Sequence, residues 1–149
     1  MKYWKTYVDL ALHAVFTLLL AWFFYRLTGG WLWPALAVLG GIFIDVDHLI
    51  DYFLYYGYRF NLKDFIAYNY MASGKIYIVF HSIELITVIW IFSLVFSWAI
   101  PLASGMTLHI LIDAFFSHRT TPLFLFLIYR WRKGFSAEAV CPRLDFNES

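Results

Sequence analysis

Ionisable residues inside long apolar stretches constrain the fold of this chain more than any other feature of its sequence. The four stretches that are long enough to cross about 30 Å of hydrocarbon as helices cover residues 7–27, 31–54, 76–100 and 102–117. They contain eight ionisable side chains of interest: His13, Asp45, Asp47, His48, His81, Glu84, His109 and Asp113. A charged residue at the centre of a membrane helix costs roughly 2.5–3.5 kcal/mol on insertion scales. Because neither Lys nor Arg lies deep in these stretches, bound metal ions are the natural source of compensating charge.

Composition places the chain in lipid. Hydrophobic residues make up 62% of its 149 residues and charged residues only 14%, whereas a soluble domain is about 45–50% apolar. We therefore expect an all-α integral membrane protein in which residues 1–133 form a four-helix bundle. Residues 123–131 are too short to span, and their basic end predicts an additional short interfacial helix. Residues 134–149, with the single Cys141, are expected to form a loose polar tail in the cytoplasm.

The basic residues predict the orientation in the membrane. With four spans, one face receives the segment before the first helix, the loop between the second and third, and the segment after the fourth. These segments contain Lys2, Lys5, Arg59, Lys63, Lys75, Arg119, Arg130, Arg132, Lys133 and Arg143, whereas the other face has only Arg26. We expect both termini in the cytoplasm, in a prokaryotic cytoplasmic membrane. The net charge of +1 argues against a nucleic-acid partner, and the partners expected are the bilayer, a lipid substrate and a second copy in a homo-oligomer.

The eight residues are predicted to lie at a similar depth in the membrane. Counted from the cytoplasmic ends of the predicted helices at about 1.5 Å per residue, all of them lie roughly 6–15 Å below the membrane surface. His109 and Asp113 are four residues apart and share a helix face, as do His81 and Glu84, which are three apart. The convergence predicts a single site.

Asp45 and Asp47 are two residues apart, so on an unbroken helix they point to nearly opposite sides. Either only one of them binds a metal ion, or the helix is locally unwound. Gly40-Gly41 favours unwinding, since irregular backbone is tolerated where it lines a buried site.

Imidazole and carboxylate ligands without thiolate suit zinc, manganese or iron, and we favour zinc. The four carboxylates of the set supply four negative charges, which two divalent cations would cancel, although a third ion also fits eight ligands. The carboxylate of Asp9, which lies four residues before His13, is placed to orient that imidazole. Such a site activates water and clamps the oxygens of a displacement, which is typical of phosphoester hydrolysis.

The expected roles follow from this chemistry. The main metal ligands are predicted to be His13, Asp45, His48, His81, His109 and Asp113. Asp47 would bridge the ions or act as the base for the attacking water, and Glu84 would be a ligand or a general acid/base. Three cations are predicted to contact a phosphate at the interface, namely Lys75, Arg119 and Arg130. Asp51 and His118 are expected to lie outside the site.

The order of these motifs resembles the membrane-bound metal-dependent hydrolase family. The matching segments are Asp45-Val46-Asp47-His48, His81-Ser82, His109 with Asp113, the early His13, and Thr121-Pro122 followed by Arg130-Trp131-Arg132. Ser73-Gly74-Lys75 stands where many members carry H-R-G. That family is similar at motif level to zinc-dependent phospholipase C and the P1-type nucleases. The resemblance implies a buried multinuclear metal site that hydrolyses a phosphoester on a lipid or lipid-linked substrate.

Three other functions use the same ligands. A divalent metal transporter or metal-binding protein also suits H-x-x-x-D on a membrane helix, but it requires a polar route to both faces. A di-iron membrane oxidoreductase suits a bundle of carboxylates and imidazoles, and its colour would reveal it. A metal-stabilised structural protein would bind the ions without turnover.

Overall fold

Helices form nearly all the regular structure in the residues that the computed structural model describes, 4–66, 73–116 and 121–141. The eight α-helices in these ranges are α1 (Trp4–Thr28), α2 (Leu32–Gly41), α3 (Val46–Tyr56), α4 (Leu62–Ile66), α5 (Ile83–Ser93), α6 (Ala99–Phe116), α7 (Leu127–Arg132) and α8 (Ala137–Val140). Two 3₁₀ turns cover Phe43–Asp45 and Pro122–Leu125. Within the described ranges there is no strand, only an isolated bridge between Lys75 and Ser136. The all-α prediction is confirmed for this part of the chain.

Two helices are long and apolar enough to cross a membrane, and they cover Thr6–Thr28 and Ala99–Phe116. A third candidate span is broken: Leu32–Gly41 and Phe43–Tyr56 meet at a bend of 44°. These elements correspond to the first, fourth and second predicted spans, and they indicate that the protein associates with a membrane.

The third predicted span, residues 76–100, is not a continuous helix. Residues 76–82 are irregular, and α5 has 11 residues, about 16 Å of helix, which is short of the roughly 30 Å of hydrocarbon. The side chain of Ser82 begins the helix by accepting a hydrogen bond from the Leu85 N–H. The described residues therefore contain two or three candidate spans, and the four-helix membrane bundle is not confirmed.

Glycines bring α2 and α6 into close contact. A Cβ on Gly105 would collide with the carbonyl oxygen of Ala37, and a Cβ on Gly40 would collide with the carbonyl oxygen of Leu102. Small residues of this kind let the backbones of membrane helices approach closely. Since α6 carries two of the predicted ligands and α2 leads into two more, this contact sets the distance between them.

The end of the described chain is packed, not loose. Residues 134–141 were expected in the tail, yet Ala137, Val140 and Cys141 are buried with Ile76 and Ile78 in the larger core cluster. Backbone hydrogen bonds hold this segment against residues 74–76 and 121. The packed domain therefore extends to at least residue 141, because these small apolar side chains cover the irregular segment before α5. The predicted interfacial stretch, 123–131, forms a 3₁₀ turn and α7.

Candidate metal centre

Five separate parts of the chain supply the residues of the candidate site. His13 lies on α1, Asp45 ends the 3₁₀ turn after α2, His48 lies on α3, His81 precedes α5, and α6 carries His109 and Asp113. The predicted convergence of these residues is what the fold produces. They form two groups positioned to hold a metal ion, His13 with His109 and Asp113, and Asp45 with His48 and His81. Within each group the ligand atoms lie within 4.8 Å of one another.

Three of the imidazoles are anchored through the same ring nitrogen. The Nδ1 acceptors are the carbonyl oxygen of Asp9 for His13 (2.9 Å), the carboxylate of Asp47 for His81 (3.1 Å) and the carbonyl oxygen of Gly41 for His109 (2.8 Å). Because carbonyl and carboxylate oxygens can only accept, each Nδ1 donates, and Nε2 of the neutral ring is left with its lone pair. This is the arrangement that metal-binding histidines usually have. Asp9 orients His13 through its backbone, whereas its carboxylate was expected to do so.

The Nε2 atoms meet two carboxylates at ligand spacing. The Nε2 atoms of His81 and His109 are 3.1 Å apart, and Asp45 Oδ1 lies 3.2 and 3.3 Å from them. Asp113 Oδ2 lies 3.8 and 3.6 Å from the same two nitrogens. Four ligands at about 2.0–2.1 Å around a tetrahedral ion are about 3.3–3.4 Å apart. The three distances among His81, His109 and Asp45 are close to that spacing, those to Asp113 are 0.2–0.5 Å longer, and imidazole with carboxylate suits a divalent ion.

Two further imidazoles flank this centre. His13 Nε2 lies 3.4 Å from Asp113 Oδ1, and His48 Nε2 lies 3.7 Å from Asp45 Oδ1. The Nε2 atom of His13 is fully buried and has no hydrogen-bond partner. A buried polar atom left without a partner is costly, and an ion beside Asp113 would satisfy it.

The site is closed on one side and open on the other. The side chains of His81 and His109 are each only 1% exposed, whereas Asp113 is 19% and Asp45 is 35% exposed. Access to the centre is therefore from the side of Asp45.

Asp47 does not share the position of Asp45, and the prediction that it bridges ions or acts as the base is wrong in geometry. Its carboxylate is 2% exposed and lies on the Nδ1 side of His81, behind the imidazole. The same carboxylate oxygen accepts the Phe80 N–H at 2.7 Å. The helix is broken after Gly41, as the glycines suggested, but the break leaves only Asp45 at the centre. Asp47 instead orients the imidazole that faces it.

Glu84 faces away from the centre, so its predicted role as a ligand or general acid/base is also wrong. Its two carboxylate oxygens accept the N–H groups of Leu127 and Ile128 at 2.9 and 3.0 Å. These are free N–H groups in the first turn of α7, where a carboxylate is a favourable cap. The prediction assumed that His81 and Glu84 lie on one helix. The helix begins only after His81, at its N-cap Ser82, so helix spacing does not relate the two side chains.

Arg119, one of the three predicted phosphate contacts, lies outside the described residues. His118, which was expected to lie outside the site, is also not among the described residues. Lys75 is exposed, and its Nζ donates to the carbonyl oxygen of Gly134 at 2.6 Å. Arg130 is fully buried, with 0% of the residue exposed, so the predicted interfacial contact with phosphate is wrong for this residue.

Arg130 is instead the buried cation that sequence reasoning missed. Its guanidinium donates to the carbonyl oxygens of Tyr77, Ile78 and His81. Burial lowers the pKa of Arg130, while the nearby charges of Asp47 and Glu84 act in the opposite direction. The residue lies in a short basic stretch that resembles a surface segment, and no local signal in the sequence distinguishes it from Arg132.

The irregular segment that carries His81 is thus held from two sides. Arg130 binds its carbonyl oxygens, while Asp47 and Asp51 accept the N–H groups of Phe80 and Tyr77. Asp51, which was expected to lie outside the site, supports it from behind this segment and is only 5% exposed. Opposite charges on the two sides of one segment fix the backbone without a helix or strand.

Comparison of the chain with protein-family models, curated proteins and solved structures finds no match. The resemblance to the membrane-bound metal-dependent hydrolases therefore remains a prediction that rests on the motifs. Function therefore has to be inferred from the chemistry of the site itself.

Proposed function

We propose that the protein is a metal-dependent membrane hydrolase that cleaves a phosphoester of a lipid or lipid-linked substrate. The observation that carries the proposal is the meeting of two His-His-Asp groups around one centre, with three of the imidazoles anchored through Nδ1. Divalent ions bound there supply Lewis-acid activation of water and of phosphoryl oxygens. The membrane location is proposed to be a prokaryotic cytoplasmic membrane, with both termini and the site on the cytoplasmic side.

The number of carboxylates around the candidate site supports two bound ions. Asp45 and Asp113 face the centre, Asp47 lies behind His81, and the Asp9 carboxylate lies 3.8 Å from Nδ1 of His13. These four carboxylates balance two divalent cations even though Glu84, counted in the sequence prediction, is elsewhere. Zinc is our choice, because each group offers two imidazoles and one carboxylate and no thiolate.

The residues have distinct parts in this reaction. His13, His48, His81 and His109 would hold the ions together with Asp113. Asp45 would also bind an ion, and as the most exposed member of the two groups it marks where water and substrate reach the centre. The carboxylate of Asp47 holds Nδ1 of His81 and would thereby leave Nε2 free to bind an ion.

Elemental analysis of the purified full-length protein in nanodiscs tests the site. We expect about two equivalents of zinc per chain, because one divalent ion matches each His-His-Asp group. His13→Ala and His48→Ala should each remove one ion, since each histidine flanks the centre on a different side. A single ion held by the four central ligands would instead survive both substitutions, and that result would contradict the two-ion arrangement.

Activity is tested on phosphoester lipids in mixed micelles, with and without a chelator. Hydrolysis should require metal, be lost in His109→Ala and persist in Glu84→Gln, the matched carboxylate outside the centre. Zinc flux into liposomes without turnover of any phosphoester would favour a transporter. Bound iron with visible absorption would favour an oxidoreductase. Either outcome would overturn the hydrolase proposal.

A further inference from the structure

An apolar pocket of about 450 Å³ lies beside the metal centre. Its lining is almost wholly apolar and comes from α2, the 3₁₀ turn, the start of α3, Phe80, α5 and α6. Its volume falls within the range of about 300–1,000 Å³ that is usual for small-molecule sites. None of the residues that line it is among the six proposed ligands.

The pocket lining and the candidate ligands come from the same backbone segments. Ile44 and Val46, which line the pocket, are the chain neighbours of Asp45. Phe80 precedes His81, and its N–H binds the carboxylate that orients that histidine. The backbone that positions Asp45 and His81 therefore also forms part of the pocket lining.

The pocket has an exposed rim and a buried floor. Leu39, Phe43 and Val46 are 48%, 59% and 42% exposed, whereas Ile44 and Met106 are 3% and 5% exposed. The rim residues belong to the bent candidate span, and with that span in a bilayer its exposed apolar side chains would lie against lipid. A hydrocarbon chain can enter from the bilayer without crossing water.

We propose that this pocket binds one acyl chain of the lipid phosphoester, with the phosphoester at the metal centre. The inference rests on the proposed function for the identity of the head group. A peptide or a sugar in the pocket would leave its own polar groups without partners, because the lining offers almost none. An acyl chain has no polar groups to satisfy, and the bilayer supplies it at the mouth. Because the chain leaves hydrocarbon for hydrocarbon, the pocket contributes positioning of the phosphoester more than affinity.

Photo-crosslinking tests the occupant directly. The probe is a phosphatidic acid with a diazirine at the end of one acyl chain, incorporated in nanodiscs with the zinc-loaded full-length protein. Lipid surrounding the protein should label exposed Val88, which is 52% exposed and does not line the pocket, and serves as the internal reference. Met106 is out of reach of surrounding lipid because it is buried, so we expect it to be labelled only by a chain inside the pocket.

A matched pair of variants blocks the mouth or leaves it open. Leu39→Trp adds bulk at the rim and should abolish the Met106 label while keeping the Val88 label. Val88→Trp adds bulk on an exposed apolar surface of α5 and should leave the Met106 label unchanged. Elution of wild type and both variants as the same folded species in size exclusion makes the comparison one of access.

Three results would overturn the inference: an unlabelled Met106 in the wild type, a Met106 label that survives Leu39→Trp, or stronger Met106 labelling by a prenyl phosphate probe than by the acyl probe. The labelling does not depend on turnover. Zinc-dependent hydrolysis of a water-soluble phosphoester with no Met106 label would refute the acyl-chain site but support the proposed hydrolase function. Acyl labelling of Met106 in a protein that hydrolyses no phosphoester would support the acyl-chain site and refute the proposed hydrolase function.

Discussion

The substitution Asp47→Asn tests whether Asp47 orients the proposed metal ligand His81 without binding metal itself. The carboxylate oxygen that Asp47 offers to His81 Nδ1, at 3.1 Å, also accepts the Phe80 N–H at 2.7 Å. Asparagine has nearly the same shape, so one acceptor oxygen can remain in place. The negative charge is lost, however, and the amide NH₂ now lies where the second carboxylate oxygen stood, which is 3.1 Å from the same Nδ1. Two donors then face each other in a place that water does not reach, since Asp47 is 2% exposed.

The magnitude follows from this geometry. Removing a group that orients a metal-binding histidine typically weakens metal affinity about 10- to 100-fold, which corresponds to about 1.4–2.7 kcal/mol. The loss of one charge-assisted hydrogen bond, worth about 1.5–3 kcal/mol, gives the same range. We expect the upper part of this range, because the buried site cannot recruit water to replace the carboxylate.

The assay is zinc affinity by chelator competition on protein in nanodiscs, with circular dichroism to confirm equal helix content. Glu84→Gln is the matched control: it also neutralises a carboxylate near Arg130, but one that caps α7. It should change zinc affinity by less than about twofold, since it touches none of the groups that orient the ligands. Equal losses in the two variants would refute the assigned positions, as would an Asp47→Asn protein with wild-type affinity.

The remaining predictions concern the packing that supports the site. Gly105→Ala should lower the free energy of unfolding by about 1–3 kcal/mol, because the new Cβ meets the backbone of α2, whereas Gly30→Ala meets nothing within 4 Å; thermal unfolding followed by intrinsic fluorescence compares the two. Arg130→Met leaves three backbone carbonyl oxygens without their donor and should cost about 3–5 kcal/mol, while Arg132→Met on the exposed side should cost less than about 0.5 kcal/mol in the same assay. Burial raises the pKa of the Cys141 thiol from 9.0 to about 12, so at pH 8 roughly one thiol in ten thousand is ionised and maleimide should react only as the protein unfolds; fast labelling of the native protein would contradict the burial.

Much of the candidate site follows from local pattern. His109 and Asp113 lie four residues apart on a helix that is apolar throughout, and the structure brings both to the centre. His13, Asp45 and His81 could be predicted for the same reason: an ionisable residue in an apolar stretch is costly unless something binds it. The break near Gly41 could also be anticipated, because Gly40-Gly41 favours local unwinding, although the break brings only Asp45 to the centre.

The failures share a physical cause. His81 is bound by Asp47 from 34 residues away and by Arg130 from 49 residues away, and Glu84 caps a helix 43 residues further along the chain. Helix periodicity reports only which residues share a face over three or four positions. Whether a given carboxylate faces an ion, an imidazole or a helix end depends on what packs against that face.

The sequence by itself therefore determined that the chain is helical and membrane-associated, and which imidazoles and carboxylates would have to be neutralised, because the cost of charge in an apolar medium depends on composition. Only the tertiary structure decided that Asp45 faces the centre while Asp47 stands behind His81, that Glu84 serves α7, and that Arg130 is buried. Those assignments depend on hydrogen bonds between distant segments, whose geometry exists only after the helices have packed.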